Sequence, residues 1–208
     1  MGNANAHPAR FFALLIVLSV PFYVWGVLWP LNWLPFGLPI SALMIVVPAV
    51  VTTALTHREQ GPGATWALWR RITDAGRIAG GQWAAVSILW MPLAAVISYA
   101  IMSRLGLPLP ARIQIPVLQV PAIFALYFLG ALFEEVGWTG YLTGPLQKSH
   151  GVLASGFAIG AVWAAWHLVP WWFGQGHSPS WVLGQALSTV AMRVVMGCIY
   201  AYGGRSFF

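Results

Sequence analysis

Glu134 and Glu135 stand side by side at the end of a long apolar run, Val117 to Leu132, and they are two of the four carboxylate side chains in the chain. An ionisable side chain inside a membrane-spanning segment costs about 2.5–3.5 kcal/mol on insertion scales, so an adjacent pair needs a compensating role. A third polar group, His167, lies in the next apolar run, one helical turn after Trp163. At that spacing the Trp163 ring shares a helix face with the imidazole and can set its orientation. These three groups are the chain's candidates for a shared polar site at membrane depth. The same residues also fit a structural ion pair with Arg193, which sits inside a later apolar run, or the polar lining of a cavity.

The elements that must position these groups follow from composition. The chain has 208 residues, 59% hydrophobic and 7% charged, and its mean hydropathy is +0.75. Soluble domains carry about 25% charged residues, so a water-facing surface is excluded and an all-α polytopic transmembrane bundle is expected, with the lipid bilayer as its first partner. Thirteen tryptophans fit a chain with many membrane–water interfaces. The net charge of +6 does not point to nucleic acid, because the aromatic residues lie in apolar runs rather than among the basic ones. The single cysteine, Cys198, excludes an internal disulfide and reads as a small core residue.

Six spans are expected, at about Phe11–Trp29, Ile40–Leu55, Trp83–Met102, Val117–Trp138, Val152–Trp172 and Trp181–Tyr202, with Pro21 and Pro48 inside the first two. The first is too long for a signal peptide and lacks its cleavage site. Ala6 breaks the myristoylation pattern that Gly2 would open. Pro30 to Pro39 reads as a turn, and so does Gly140 to Gly151. The polar stretch His57 to Gly81 reads either as a plain loop or, through Trp66, Leu68 and Trp69 beside Arg70 and Arg71, as a short helix in the interface. With the N-terminus inside, Arg10, Arg58, Arg70, Arg71, Arg77, Lys148 and Arg205 fall on the cytoplasmic side and Arg104 and Arg112 outside, which favours both termini in the cytoplasm. The doublet then lies near the cytoplasmic end of the fourth span. His167 lies roughly 22 Å along a straight fifth span, so the groups meet only if that span begins outside the membrane or tilts strongly. No repeat or second domain is visible, and 1–208 reads as one transmembrane domain.

Glu134-Glu135-Val136-Gly137-Trp138-Thr139-Gly140-Tyr141-Leu142, followed by Trp163-Ala164-Ala165-Trp166-His167-Leu168, resembles the first two motifs of the CAAX-prenyl-protease and bacteriocin-processing (CPBP, or Abi) family, Glu-Glu-x-x-x-Arg and Phe-x-x-x-His, with Trp163 in place of Phe. The resemblance covers about Leu126 to Phe208, with a motif core of about 117–208. It implies an intramembrane endopeptidase that uses no metal and no cofactor. Glu134 would be the general base, His167 would hold and polarise the water, and Glu135 would support them. The implied substrate is a membrane-associated peptide or protein, prenylated proteins and bacteriocin leaders both being candidates.

Two departures bear on that implication. The motif-one Arg is Thr139, which leaves Glu135 without the partner expected one turn on; Arg193 is the cation available to replace it. The family's later His and Asn motif, which binds the oxyanion, does not appear before Phe208, as in a truncated or degenerate member. Other readings stay open. A zinc site on Glu134, Glu135 and His167 lacks the His-rich donor set of catalytic zinc. Leu153-Ala154-Ser155-Gly156 resembles a serine-protease Gly-x-Ser-Gly only loosely and reads better as small-residue packing. A non-catalytic scaffold, an immunity-type protein of the same family and a small proton-coupled transporter are the non-protease readings.

Overall fold

The computed structural model describes residues 7–29, 34–110 and 116–207. Gly2, Ala6, Arg112, Phe208 and the first part of the Pro30–Pro39 turn lie outside them. The described residues contain no strand. Six helical segments among them are long and apolar enough to cross a membrane, at Pro8–Leu28, Ile40–Gln60, Gly80–Arg104, Val120–His150, Val152–Gly174 and Pro179–Tyr202. The all-α polytopic architecture is therefore the one the apolar runs predict.

Helix α1, Pro8–Leu28, starts on a proline, a residue whose missing N–H costs nothing in a first turn. The second span opens as a 3₁₀ turn, Ile40–Val46, and becomes α2, Val47–Gln60. Pro48 thus stands in the first turn of α2 rather than inside it, and the span runs five residues beyond the expected Leu55. Gly61, at φ 84°, reverses the chain into α3, Pro62–Trp69. The polar stretch therefore does hold a short helix, laid back along α2, where the Trp69 indole donates to the Thr53 hydroxyl at 3.0 Å. Helix α4, Gly80–Arg104, has no buried residue. It meets the bundle chiefly along the last helix, with Trp83 stacked on Tyr202 at 6.0 Å.

The fourth span differs from its expected form. Helix α5, Val120–Gly137, passes through a π turn, Trp138–Thr143, straight into α6, Gly144–His150. The expected turn at Gly140 is helical. A Cβ there would lie 2.6 Å from the Phe207 ring and 2.9 Å from Leu68, so Gly140 serves close packing and not chain reversal. Thr143 donates its hydroxyl to the Trp138 carbonyl at 2.8 Å and satisfies an acceptor that the wide turn would leave short of a partner. The reversal comes at Gly151, at φ 81°.

Helix α7, Val152–Val169, then runs back and ends in a second π turn, Pro170–Gly174. Helix α8, Pro179–Tyr202, is capped by the Ser178 hydroxyl, which accepts from the Trp181 N–H at 3.3 Å. The α7–α8 pair is the most extensive contact in the fold. Gly156 and Gly160, one turn apart, let α7 approach so closely that a Cβ on either would sit 2.9 Å from the α8 backbone. This is the small-residue packing that membrane helices use in place of a hydrophobic driving force. Ser155 spends its hydroxyl on the Gly151 and Val152 carbonyls, at 2.8 and 2.9 Å, in keeping with a packing role for that stretch. Across the bundle, Phe11, Trp138, Tyr141 and Trp166 join α1, the first π turn and α7 in one buried aromatic cluster.

Candidate functional site

The corrected reversal settles the depth of the polar groups. Glu134 precedes His150 by sixteen residues and His167 follows Gly151 by sixteen. On antiparallel helices joined at Gly151, both lie roughly 24 Å from the turn. Glu134 is near the middle of its 31-residue helical run and not at its end. No strong tilt and no extramembrane start of α7 is needed to bring the groups level.

Glu134, Glu135, Trp163 and His167 line a single cavity of about 410 Å³. Its other walls are the 3₁₀ segment with the preceding Leu38 and Pro39, the second π turn with Trp171 and Gln175, and Met192 and Met196 of α8. Apart from the central polar groups the lining is mostly apolar, as in ligand pockets generally.

The two adjacent carboxylates are held in different ways. Glu135 is 7% exposed and takes both terminal nitrogens of Arg193, Nη1 at 3.0 Å and Nη2 at 2.8 Å. Arg193 itself is 1% exposed. The Thr139 hydroxyl donates to the same carboxylate and lies 3.5 Å from Arg193 Nη1. Position 139 therefore still serves Glu135, as a small donor that leaves room for a guanidinium arriving from α8. The bidentate pair satisfies a charge that neither residue could keep alone at this depth. The ion-pair role that residue types left open belongs to Glu135.

Glu134, 8% exposed, accepts a hydrogen bond from the Trp163 indole N–H to Oε2 at 2.8 Å. Trp163 also accepts at its backbone carbonyl from His167 Nδ1, 2.9 Å away, and its ring lies under the Arg193 guanidinium at 4.4 Å. A carbonyl only accepts, so Nδ1 must carry the proton and Nε2 of the neutral ring keeps its lone pair. The ring is further fixed by stacking on Trp171, at 5.1 Å between centroids, and by the edges of Trp166 and Trp163. Trp163 thus orients the imidazole through its backbone as well as its ring, which the one-turn spacing alone did not reveal.

Sequence reasoning missed the wall formed by Leu38–Ile45 and the rim residue Gln175, whose amide oxygen lies 2.9 Å from His177 Nε2. Neither carries a motif. Among the described residues no group of three or more His, Cys, Asp or Glu side chains is gathered to hold a metal ion, and both oxygens of Glu135 are already committed to Arg193.

Over 48 residues, 23% of this chain and 17% of the relative, the sequence is 40% identical to CAAX prenyl protease 2 of Methanococcus maripaludis. Residues 116–208, which contribute both carboxylates, Trp163, His167 and Arg193, match the family of Rce1-like type II CAAX prenyl endopeptidases, the relationship that the two motifs led us to expect.

Proposed function

We propose that the protein is an intramembrane endopeptidase that hydrolyses a peptide bond of a membrane-associated substrate with a water held between Glu134 and His167. The observation that carries this reading is the shared cavity, lined both by a carboxylate that the Trp163 indole holds and by an imidazole whose Nδ1 proton is already engaged. The water donates one proton to Glu134 and a hydrogen bond to His167 Nε2, and its oxygen attacks the scissile carbonyl carbon. Glu134 then passes the proton to the departing amine, so that a carboxylate and an amine are the products. Arg193 holds the Glu135 carboxylate still through two hydrogen bonds, and the pair orders the floor of the site.

The developing oxyanion needs donors placed where the charge appears. Gln175 is suited to this role: with its amide oxygen turned to His177 Nε2–H, its NH₂ group remains for the substrate. The apolar cavity walls favour a substrate with apolar or lipid-modified residues beside the scissile bond, and a prenylated C-terminal peptide is the first to test.

The test uses the full chain in phospholipid vesicles with a farnesylated reporter peptide ending in three residues after the modified cysteine. Wild type should release the tripeptide, and Glu134→Gln should reduce release at least about 100-fold without loss of protein. Release should be unchanged by a metal chelator. Undiminished cleavage by Glu134→Gln removes the general-base role.

A further inference from the structure

The most basic stretch of the chain borders a second, separate recess. A groove of about 640 Å³ runs down the outer face of α2, with no residue in common with the Glu134 cavity. Its floor is built on helical repetition. Val46, Val50, Ala54 and Arg58 follow one another every four residues, and Ala49, Thr53 and His57 form the parallel row. Four-residue spacing puts such side chains in one stripe. Trp69 of α3 and Phe133 of α5 form its side, meeting edge to face at 6.1 Å. The Trp69 ring is pinned by its bond to Thr53, so the wall is fixed.

The stripe is polarised along its length. From Val46 to Ala54 it offers aliphatic groups, and at the far end it carries His57 and Arg58, both exposed. Among the described residues Arg58 has neither an ion pair nor a side-chain hydrogen bond. The neighbouring carboxylate does not neutralise it. Glu59 faces away, accepting from the Tyr141 hydroxyl at 3.0 Å and lying 3.8 Å from Arg10. From Val46 to Arg58 the stripe spans roughly 18 Å, close to the depth of one leaflet, since a whole hydrocarbon core is about 30 Å thick. A chain of apolar groups one leaflet long with a cation at its outer end is the complement of one phospholipid bearing a negative headgroup.

We infer that this groove is a binding site for a single anionic phospholipid, its acyl chain along Val46–Ala54 and its phosphate at Arg58. The inference does not depend on the protein being a peptidase, and its test reads no hydrolysis. The purified full chain in detergent micelles is offered equal amounts of phosphatidylglycerol and phosphatidylcholine, and the retained lipid is counted by native mass spectrometry. Wild type should keep one phosphatidylglycerol in preference to phosphatidylcholine. Arg58→Gln should lower that preference about fivefold, Arg58→Lys should largely keep it, and Ala54→Phe, which fills the groove, should reduce retention of both lipids. Arg104→Gln, on α4, should leave retention as in wild type. Arg58 is exposed, so its replacement tests the site even if Ala54→Phe does not fold. Equal retention of the two lipids by wild type, unchanged preference in Arg58→Gln, or an equal loss in Arg104→Gln overturns the proposal.

Discussion

Glu134 and Glu135 are neighbours in the chain and line one cavity, yet they bond to two different regions of the molecule. Glu135 faces the α5–α8 seam, where Arg193 takes both its oxygens and Thr139 adds a third donor. Glu134 faces the α5–α7 cavity, where the Trp163 indole donates to it. Both oxygens of Glu135 are taken up by protein donors, whereas the Trp163 bond to Glu134 falls on one oxygen. A doublet of identical residues is in this way divided into one held by an ion pair and one that the proposed mechanism uses as its base, and the difference is made by which helix each meets.

Breaking the Glu135 side should show most strongly in stability. Removing one partner of a buried ion pair leaves the other uncompensated and costs about 3–5 kcal/mol, so Arg193→Ala should lower protein level and melting temperature sharply. Glu134→Gln, by contrast, should melt close to wild type while hydrolysis is lost. Equal melting of wild type and Arg193→Ala would erase the contrast between the two sides. Trp163→Phe sharpens it from the Glu134 side: the variant keeps the backbone carbonyl that holds His167 but loses the N–H on Glu134. A hydrogen bond to a charged group is worth about 1.5–3 kcal/mol, so kcat should fall roughly tenfold or more with KM little changed. An altered KM with intact kcat would place Trp163 in substrate binding instead. The smallest effect is expected at Thr139→Val, which removes one of three donors to Glu135 while Arg193 remains. A loss of about 1 kcal/mol, read as a melting shift of a few degrees, is the expected outcome; a collapse like that of Arg193→Ala would make the hydroxyl, not the guanidinium, the principal partner.

Much of this was legible in the residues. Long apolar runs announced the spans, and the cost of burying a charge made Arg193 the natural partner of a glutamate lacking its motif arginine. The depth of the site was not legible. Gly140 and Gly151 look alike as turn formers, yet Gly140 lies in a helical turn packed under Phe207 and Leu68, and Gly151 takes the positive φ of the reversal. That single misplacement moved Glu134 from mid-span to an end and created a mismatch with His167 that the fold does not have. The Leu38–Ile45 wall was equally hidden, because a 3₁₀ segment brought in from a distant part of the chain has no local signature of what it will cover. Thr139 was noticed as an absence, whereas its hydroxyl has its own place beside the guanidinium.

Helix α4 buries none of its residues, so the bundle owes little of its cohesion to it. A crossing that contributes little packing still counts in the parity of the chain. Deleting it would leave five candidate crossings among the described residues in place of six, and α5, α7 and α8 would have to enter the bilayer inverted relative to α1 and α2. The contacts between those groups, including the knot at Tyr141 and Glu59, join opposite halves of the chain and tolerate no such inversion. The least anchored helix is in this sense the one that keeps the sidedness of all the others consistent.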